Sequence, residues 1–211
     1  MNTRLNTPDH PHSREPGWRP IQRYTTAELT PATRRWLLDD GSLTERLISA
    51  GQGAFAVARL KQVFAVPLPS EQQLLDLPAR QTALVREVVL RLDGKAVVFA
   101  RSVFPMASLD GELRHLRQLK NKSLGAILFS HPGMRRTPFD LALISGHSDY
   151  LPKALQQASQ AWGRRSCFDL GGKRLMVSEV FLKDFSPWPG ILPVHRSQRG
   201  RVVPANSAQP K

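Results

Sequence analysis

The sequence has one cysteine, Cys167, in 211 residues. An internal disulfide is therefore excluded, and the fold must rest on burial alone, as expected in a reducing compartment. Cys167 reads as a small packing residue on a strand, not as a nucleophile. No segment approaches the roughly 18 uninterrupted apolar residues that a membrane helix needs, and Met1–Arg19 has no apolar h-region of a secretory signal. A cytoplasmic protein without a membrane span is the expectation. Acidic residues are also scarce, 17 against 30 Lys and Arg, which leaves a formal charge of +13. Such a balance admits nucleic acid, a membrane surface or an anionic small molecule as partner. The excess is scattered, however, and the basic stretch Arg114–Lys122 reads as a solvated helix face without interleaved aromatic side chains. No specific nucleic-acid partner is expected from it. Missing too are HExxH, paired CxxC, the Walker loop and GxSxG. The six histidines, His10, His12, His115, His131, His147 and His195, are not at metal-ligand spacing, so neither a metal nor another cofactor is expected.

What is present is enough for one ordinary core, with 41% of residues apolar. Residues 1–18 and 186–211 are rich in Pro, Arg, Ser and Asn without periodicity and read as disordered tails around a domain spanning 19–185. Within the domain, Thr30-Pro31 predicts a capped helix with proline at its first position, through Ala32–Asp39. Ser42-Leu-Thr-Glu45 predicts a second helix opened by a capping box and stopped at Gly51. Gly53–Val66 reads as a strand. Gln81–Leu92 and Ala96–Phe104 read as a hairpin turned at Asp93-Gly94. Asp110–Leu119 and Ser123–Phe129 look helical, Thr137–Ile144 extended, and Ser148–Ala161 a helix or an ordered loop. Gly163–Leu170 and Lys173–Lys183 flank Gly171-Gly172 as a second hairpin. Strands arriving as hairpins with helices grouped between them predict an α+β fold on a single antiparallel sheet.

Alternation along these strands singles out two charged residues. Leu84, Arg86, Val88, Leu90 and Leu92 share the more apolar face of their strand, and Leu175, Val177, Glu179 and Phe181 share one face of the last. A buried arginine needs a partner, because an unpaired charge costs several kcal/mol even after relaxation, by rough estimate. Burial raises a carboxyl pKa and a neighbouring arginine lowers it, so Glu179 could accept or donate a hydrogen bond. Arg86 and Glu179 either neutralise each other across the sheet or serve a bound anion, and alternation alone leaves both readings open.

Six segments, taken in order, resemble the bacterial chorismate pyruvate-lyase family. They are Trp36-Leu-Leu with Gly41-Ser-Leu-Thr-Glu-Arg-Leu47, Val85-Arg-Glu-Val-Val-Leu90 with Asp93-Gly94, Ala100-Arg-Ser-Val-Phe-Pro105, Lys122-Ser-Leu-Gly-Ala-Ile-Leu-Phe129, Trp162-Gly-Arg-Arg-Ser166, and Leu175-Met-Val-Ser-Glu-Val-Phe-Leu182. The resemblance implies an antiparallel sheet with helical flaps over a buried aromatic ligand. It implies conversion of chorismate to 4-hydroxybenzoate and pyruvate, the first committed step towards ubiquinone, by a cofactor-independent monomer. It also implies site roles: Arg86 for the ring carboxylate, the backbone amides of Leu43 and Leu124 for the same group, and Glu179 for the 4-hydroxyl and as possible acid or base. Arg101 is a further candidate, for the second carboxylate. The rival reading is a non-catalytic effector-binding domain of the related fold attached to transcription regulators. About 25 residues precede the domain here, fewer than a three-helix DNA-binding head requires.

Overall fold

The computed structural model describes residues 15–25, 27–50 and 54–190. In chain order the elements are β1 (Arg19–Pro20), α1 (Pro31–Leu37), α2 (Leu43–Ala50), β2 (Phe55–Ala65), α3 (Pro69–Leu74), β3 (Ala83–Leu92), β4 (Lys95–Pro105), a 3-10 stretch over Gly111–Gln118, α4 (Leu124–Ser130), β5 (Met134–Arg136), β6 (Asp140–Ile144), β7 (Ala161–Leu170) and β8 (Lys173–Phe181). The strands form one antiparallel sheet in the order β1-β6-β7-β8-β4-β3-β2, with β5 also paired to β7. The fold is therefore α+β on a single antiparallel sheet.

Local chemistry explains most of the boundaries. Thr30 Oγ1 accepts from the Thr33 amide and Pro31 opens α1; Ser42 Oγ accepts from the Glu45 amide and opens α2. Ser123 Oγ accepts from the Ala126 amide at the start of α4. The β3–β4 turn holds Asp93 and Gly94 at φ 50° and 77°, and the β7–β8 turn holds Gly171 and Gly172 at 64° and 86°, the left-handed pairs that tight hairpins need. The predicted stop at Gly51 and strand start at Gly53 lie outside the described residues.

Three segments differ from the sequence reading, and in a fourth, Ser148–Ala161, the structure takes the ordered loop of the two alternatives. Gly111–Gln118 winds as a 3-10 helix instead of an α-helix. The extended stretch at 137–144 begins only at Asp140, after a break at Thr137–Phe139 that separates β5 from β6; Pro138 has no N–H to offer a ladder. Between Ser148 and Ala161 the chain is an ordered loop with one 3-10 turn at Lys153–Leu155. The helix α3 was not anticipated; Pro69 opens it, and the Glu71 carboxylate accepts from the Leu68 amide.

Both faces of the sheet are covered. On the front, α1 and α2 bury Trp36, Leu37, Leu43 and Leu47 against Val88, Leu90 and Phe181, while the 3-10 stretch and α4 bury Leu113, Leu116, Leu124 and Leu128 against Leu84 and Leu175. On the back, the 145–160 loop packs Tyr150 and Leu151 on Val89, Phe99 and Val180, and Leu75 lies on Val85, Cys167 and Met176. Described parts of the stretches assigned to tails also touch this body. Glu15 accepts from the Ser70 amide, Trp18 meets Tyr150 edge-on at 6.0 Å, and Trp188 lies on Phe181 and Phe185. Residues 1–14 and 191–211 lie outside the described residues.

Candidate active site

A cavity opens along the seam between the two front clusters, where α2 and α4 meet over the sheet and Thr44 Oγ1 lies 2.7 Å from Ser123 Oγ. Its walls are apolar over much of their extent, with Val88, Leu90, Ala100, Leu128 and Phe168, and the polar groups converging on it are few. Arg86, Glu179, Leu43 and Leu124 all line it.

Arg86 projects from β3 on the same face as Val88 and Leu90, and only 2% of it is exposed. Its Nη2 donates to the carbonyls of Lys120 and Lys122 at 3.1 and 2.8 Å. Nε is buried with no acceptor among the described residues. Burial, reinforced by the nearby Arg59, pulls this guanidinium down to about 10, the signature of a cation held without a carboxylate.

Leu43 and Leu124 are the first residues of α2 and α4, positions whose N–H groups have no acceptor within their own helix. The serines before them use their hydroxyls on the third helical amide, which leaves the first amide of each helix unengaged by its cap.

Glu179 is not paired with Arg86. Its Oε2 accepts from Arg164 Nε at 2.6 Å, and Arg164 is anchored in turn by Nη1 donating to the carbonyls of Trp36 and Asp39 at 2.8 and 2.9 Å. Arg164 is 1% exposed, and its Nη2 has no partner among the described residues. A third arginine completes the group. Arg136, at the end of β5, donates through Nε to Ser166 Oγ at 2.8 Å and sits among the rings of Phe139, Phe168 and Phe129 at 4.1, 4.8 and 6.0 Å. Its Nη2 is 4.0 Å from Glu179 Oε2, too far for a hydrogen bond. Burial and the charge of Arg164 bring Arg136 down to about 9.

Two of these arginines escaped the sequence reading. Arg164 was legible in principle: a two-residue turn at Gly171-Gly172 sets the register that pairs Arg164 with Glu179. Arg136 had no such signal, since β5 has three residues and a strand that short shows no alternation. Arg101 is corrected. It faces the back of the sheet, donating through Nε and Nη2 to Glu71 at 2.7 and 3.0 Å and through Nη1 to Glu87 at 2.6 Å. Burial opposes its charge, but Glu71 outweighs burial and raises the guanidinium above its ordinary range. With two carboxylates already on it, and the sheet between it and the cavity, Arg101 is no candidate for a substrate carboxylate.

Among the described residues no three His, Cys, Asp or Glu side chains stand close enough to hold a metal ion, and no helix is long and apolar enough to cross a membrane. The cavity is thus an apolar slot lined by Arg86, Arg136, Glu179 and the first residues of α2 and α4.

The family model described as chorismate lyase matches residues 18–187 of the chain. The chain belongs to the chorismate lyase family. It is 38% identical over 175 residues to "Probable chorismate pyruvate-lyase 2" of Pseudomonas fluorescens (strain Pf0-1), covering 81% of this chain and 91% of that one. It is 40% identical over 164 residues to "Probable chorismate pyruvate-lyase" of Methylococcus capsulatus, covering 77% and 98%. Among solved structures the effector domain of PhnF from Mycobacterium smegmatis superposes with a TM-score of 0.51 at 18% identity, over 70% of this chain and 91% of that domain. That likeness places the sheet and its helices in a fold shared by chorismate lyase and effector domains.

Proposed function

We propose that the cavity binds chorismate and that the protein is a carbon–oxygen lyase, releasing 4-hydroxybenzoate and pyruvate without a metal or redox cofactor. One observation carries the reading beyond family membership. Arg86, 2% exposed, has no carboxylate partner among the described residues and lines the same cavity as Glu179. A ring carboxylate would supply the missing counter-charge, accept from the free Nε, and reach the amides of Leu43 and Leu124. Glu179, held by Arg164, would then accept from the hydroxyl at carbon 4.

The chemistry asks little beyond this. The bond from carbon 3 to the ether oxygen breaks, the hydrogen on carbon 4 leaves as a proton, and its bonding pair completes the aromatic ring. The departing enolpyruvate takes up a proton at its methylene carbon and becomes pyruvate. Aromatisation supplies the driving force, so the protein's work is to hold the dianion in a reactive pose and to stabilise charge moving onto the ether oxygen. Arg86 is the anchor in this scheme and Glu179 orients the hydroxyl, with Glu179 also within reach of acid or base work. The same reading puts the reaction on the route towards ubiquinone, in the cytoplasm, in a monomer.

The test is incubation of purified protein with chorismate and EDTA, followed by chromatography. Equal amounts of 4-hydroxybenzoate and pyruvate are expected. Well-folded protein yielding neither would reject the enzyme in favour of an effector-binding domain; 3-hydroxybenzoate or prephenate would keep the substrate and overturn the reaction.

A further inference from the structure

We infer that Arg136 holds the second carboxylate of the substrate, that of the enolpyruvyl group, and so sets the preference of the site for a dicarboxylate. This inference rests on the proposed chorismate reading and assigns within it a residue for which neither the resemblance nor strand alternation supplied a role. Chorismate carries two carboxylates, whereas Arg86 and the amides of Leu43 and Leu124 account for one.

Charge pairing among the buried arginines leaves one suitable group. Arg46 is taken by Asp39 at 2.8 Å, Arg164 by Glu179 at 2.6 Å and Arg165 by Asp140 at 3.2 Å, while the half-buried Arg101 is held by Glu71 and Glu87 on the far face. Arg136 makes one short hydrogen bond, to a neutral serine hydroxyl, and a 3.5 Å contact to the Asp40 carbonyl. Three aromatic rings hold its guanidinium, and the carboxylate facing it, Glu179 at 4.0 Å, is already hydrogen-bonded to Arg164 and so offsets the charge only in part. A desolvated cation held in this way is costly unless an anion joins it. It lines the same cavity as Arg86.

Position supports the same assignment. Across the sheet the order β3, β4, β8, β7, β5 places Arg86 at one end, Ala100 and Ser102 on the floor, Glu179 beyond them and Arg136 at the other end. Along chorismate the order is ring carboxylate, ring, the hydroxyl and ether carbons, then the enolpyruvyl carboxylate. Strands about 4.8 Å apart put roughly 10 Å between β3 and β8, enough for a six-membered ring and its substituents. The polar groups of the protein thus follow the polar groups of the molecule.

The test compares two ligands on the full chain and its variants. One is 4-hydroxybenzoate; the other is 4-hydroxybenzoate carrying a carboxymethoxy group at carbon 3, an unreactive dicarboxylate. Calorimetric titration of Arg136→Met should show the dicarboxylate weakened on the order of 30-fold or more, by analogy with losing one side of a buried charge pair, and 4-hydroxybenzoate little changed. Arg136→Gln, which keeps a donor for Ser166, should give the same divergence if the methionine variant folds poorly. Arg136→Lys should recover only part of the loss, because a point charge lacks the planar fork. Equal weakening of both ligands, or of neither, would overturn the assignment, as would a parent that binds 4-hydroxybenzoate but not the dicarboxylate. A parent that binds neither ligand and leaves chorismate untouched would instead reject the chorismate reading itself.

Discussion

Arg164 Nε donates to Glu179 Oε2 at 2.6 Å, and the two residues face each other in register on β7 and β8. This pair settles which arginine serves the final-strand carboxylate, and it releases Arg86 from any structural duty towards it. Truncating Arg164 to leucine strands Glu179 and removes the donor to the carbonyls of Trp36 and Asp39. Breaking a buried pair in this way costs about 3–5 kcal/mol, which thermal unfolding should register as a large fall in Tm. Glu179→Gln keeps an acceptor for Arg164 and should fall by less. A Tm unchanged in Arg164→Leu would contradict the pairing.

Arg86→Ala should spare the fold and damage the ligand site. It removes two hydrogen bonds to the 120–122 carbonyls but leaves no carboxylate orphaned, and it relieves the cost of a desolvated cation. Thermal unfolding should show a Tm near the parent's, together with loss of the stabilisation that 4-hydroxybenzoate gives through binding linkage. The affinity loss expected is about 2–5 kcal/mol, or roughly 30- to several-thousand-fold. Full protection of the variant by 4-hydroxybenzoate would remove Arg86 from the site.

Arg101→Met should behave in the opposite way. Two carboxylates, Glu71 and Glu87, lose their shared partner, so stability should drop by several kcal/mol. In variant protein that remains folded, the affinity for 4-hydroxybenzoate should match the parent's, since the residue lies across the sheet from the cavity. Selective loss of affinity with an unchanged Tm would reverse the assignment of faces.

Cys167 is 1% exposed, and burial pushes its thiol up to about 11. Thiol reagents at pH 8 should label it only through unfolding or wide opening, at a rate that 4-hydroxybenzoate slows. The sign of the stability effect follows from the same shift. Between the ordinary thiol value of 9.0 and about 11 the unfolded chain has given up a proton that the folded chain keeps. Stability from this group is therefore intact below pH 9 and declines as pH rises through that window, by on the order of 2–3 kcal/mol in total. Cys167→Ser should flatten the decline in a series of Tm measurements.

Much of the architecture follows from signals that act over a few residues. The caps at Thr30, Ser42 and Ser123 and the turns at Asp93-Gly94 and Gly171-Gly172 are local bargains between a side chain or a left-handed backbone and its nearest amides, so they can be read directly from spacing. Alternation likewise picked out Arg86 and Glu179, because a charge among apolar neighbours on one strand face is visible without the partner strand. Where the chemistry is non-local, reading from sequence stopped. The 3-10 winding of Gly111–Gln118, the break at Thr137–Phe139 and the buried role of Glu71 depend on what lies above or beside each segment.

By itself, then, the sequence determined the antiparallel sheet, its two tight hairpins, its capped helices and the two charged residues that alternation placed on apolar faces, since each rests on periodicity or on contacts a few residues apart. Only the tertiary structure decided who pairs with whom. Arg101 turns to Glu71 and Glu87, Arg164 to Glu179, and Arg86 and Arg136 are left in the cavity without a hydrogen-bonded carboxylate among the described residues. A buried charge is satisfied or stranded by groups far away in the chain, such as the carbonyls of Trp36 and Asp39 that anchor Arg164 across more than 120 residues. The pairing therefore exists only once the helices have closed over the sheet.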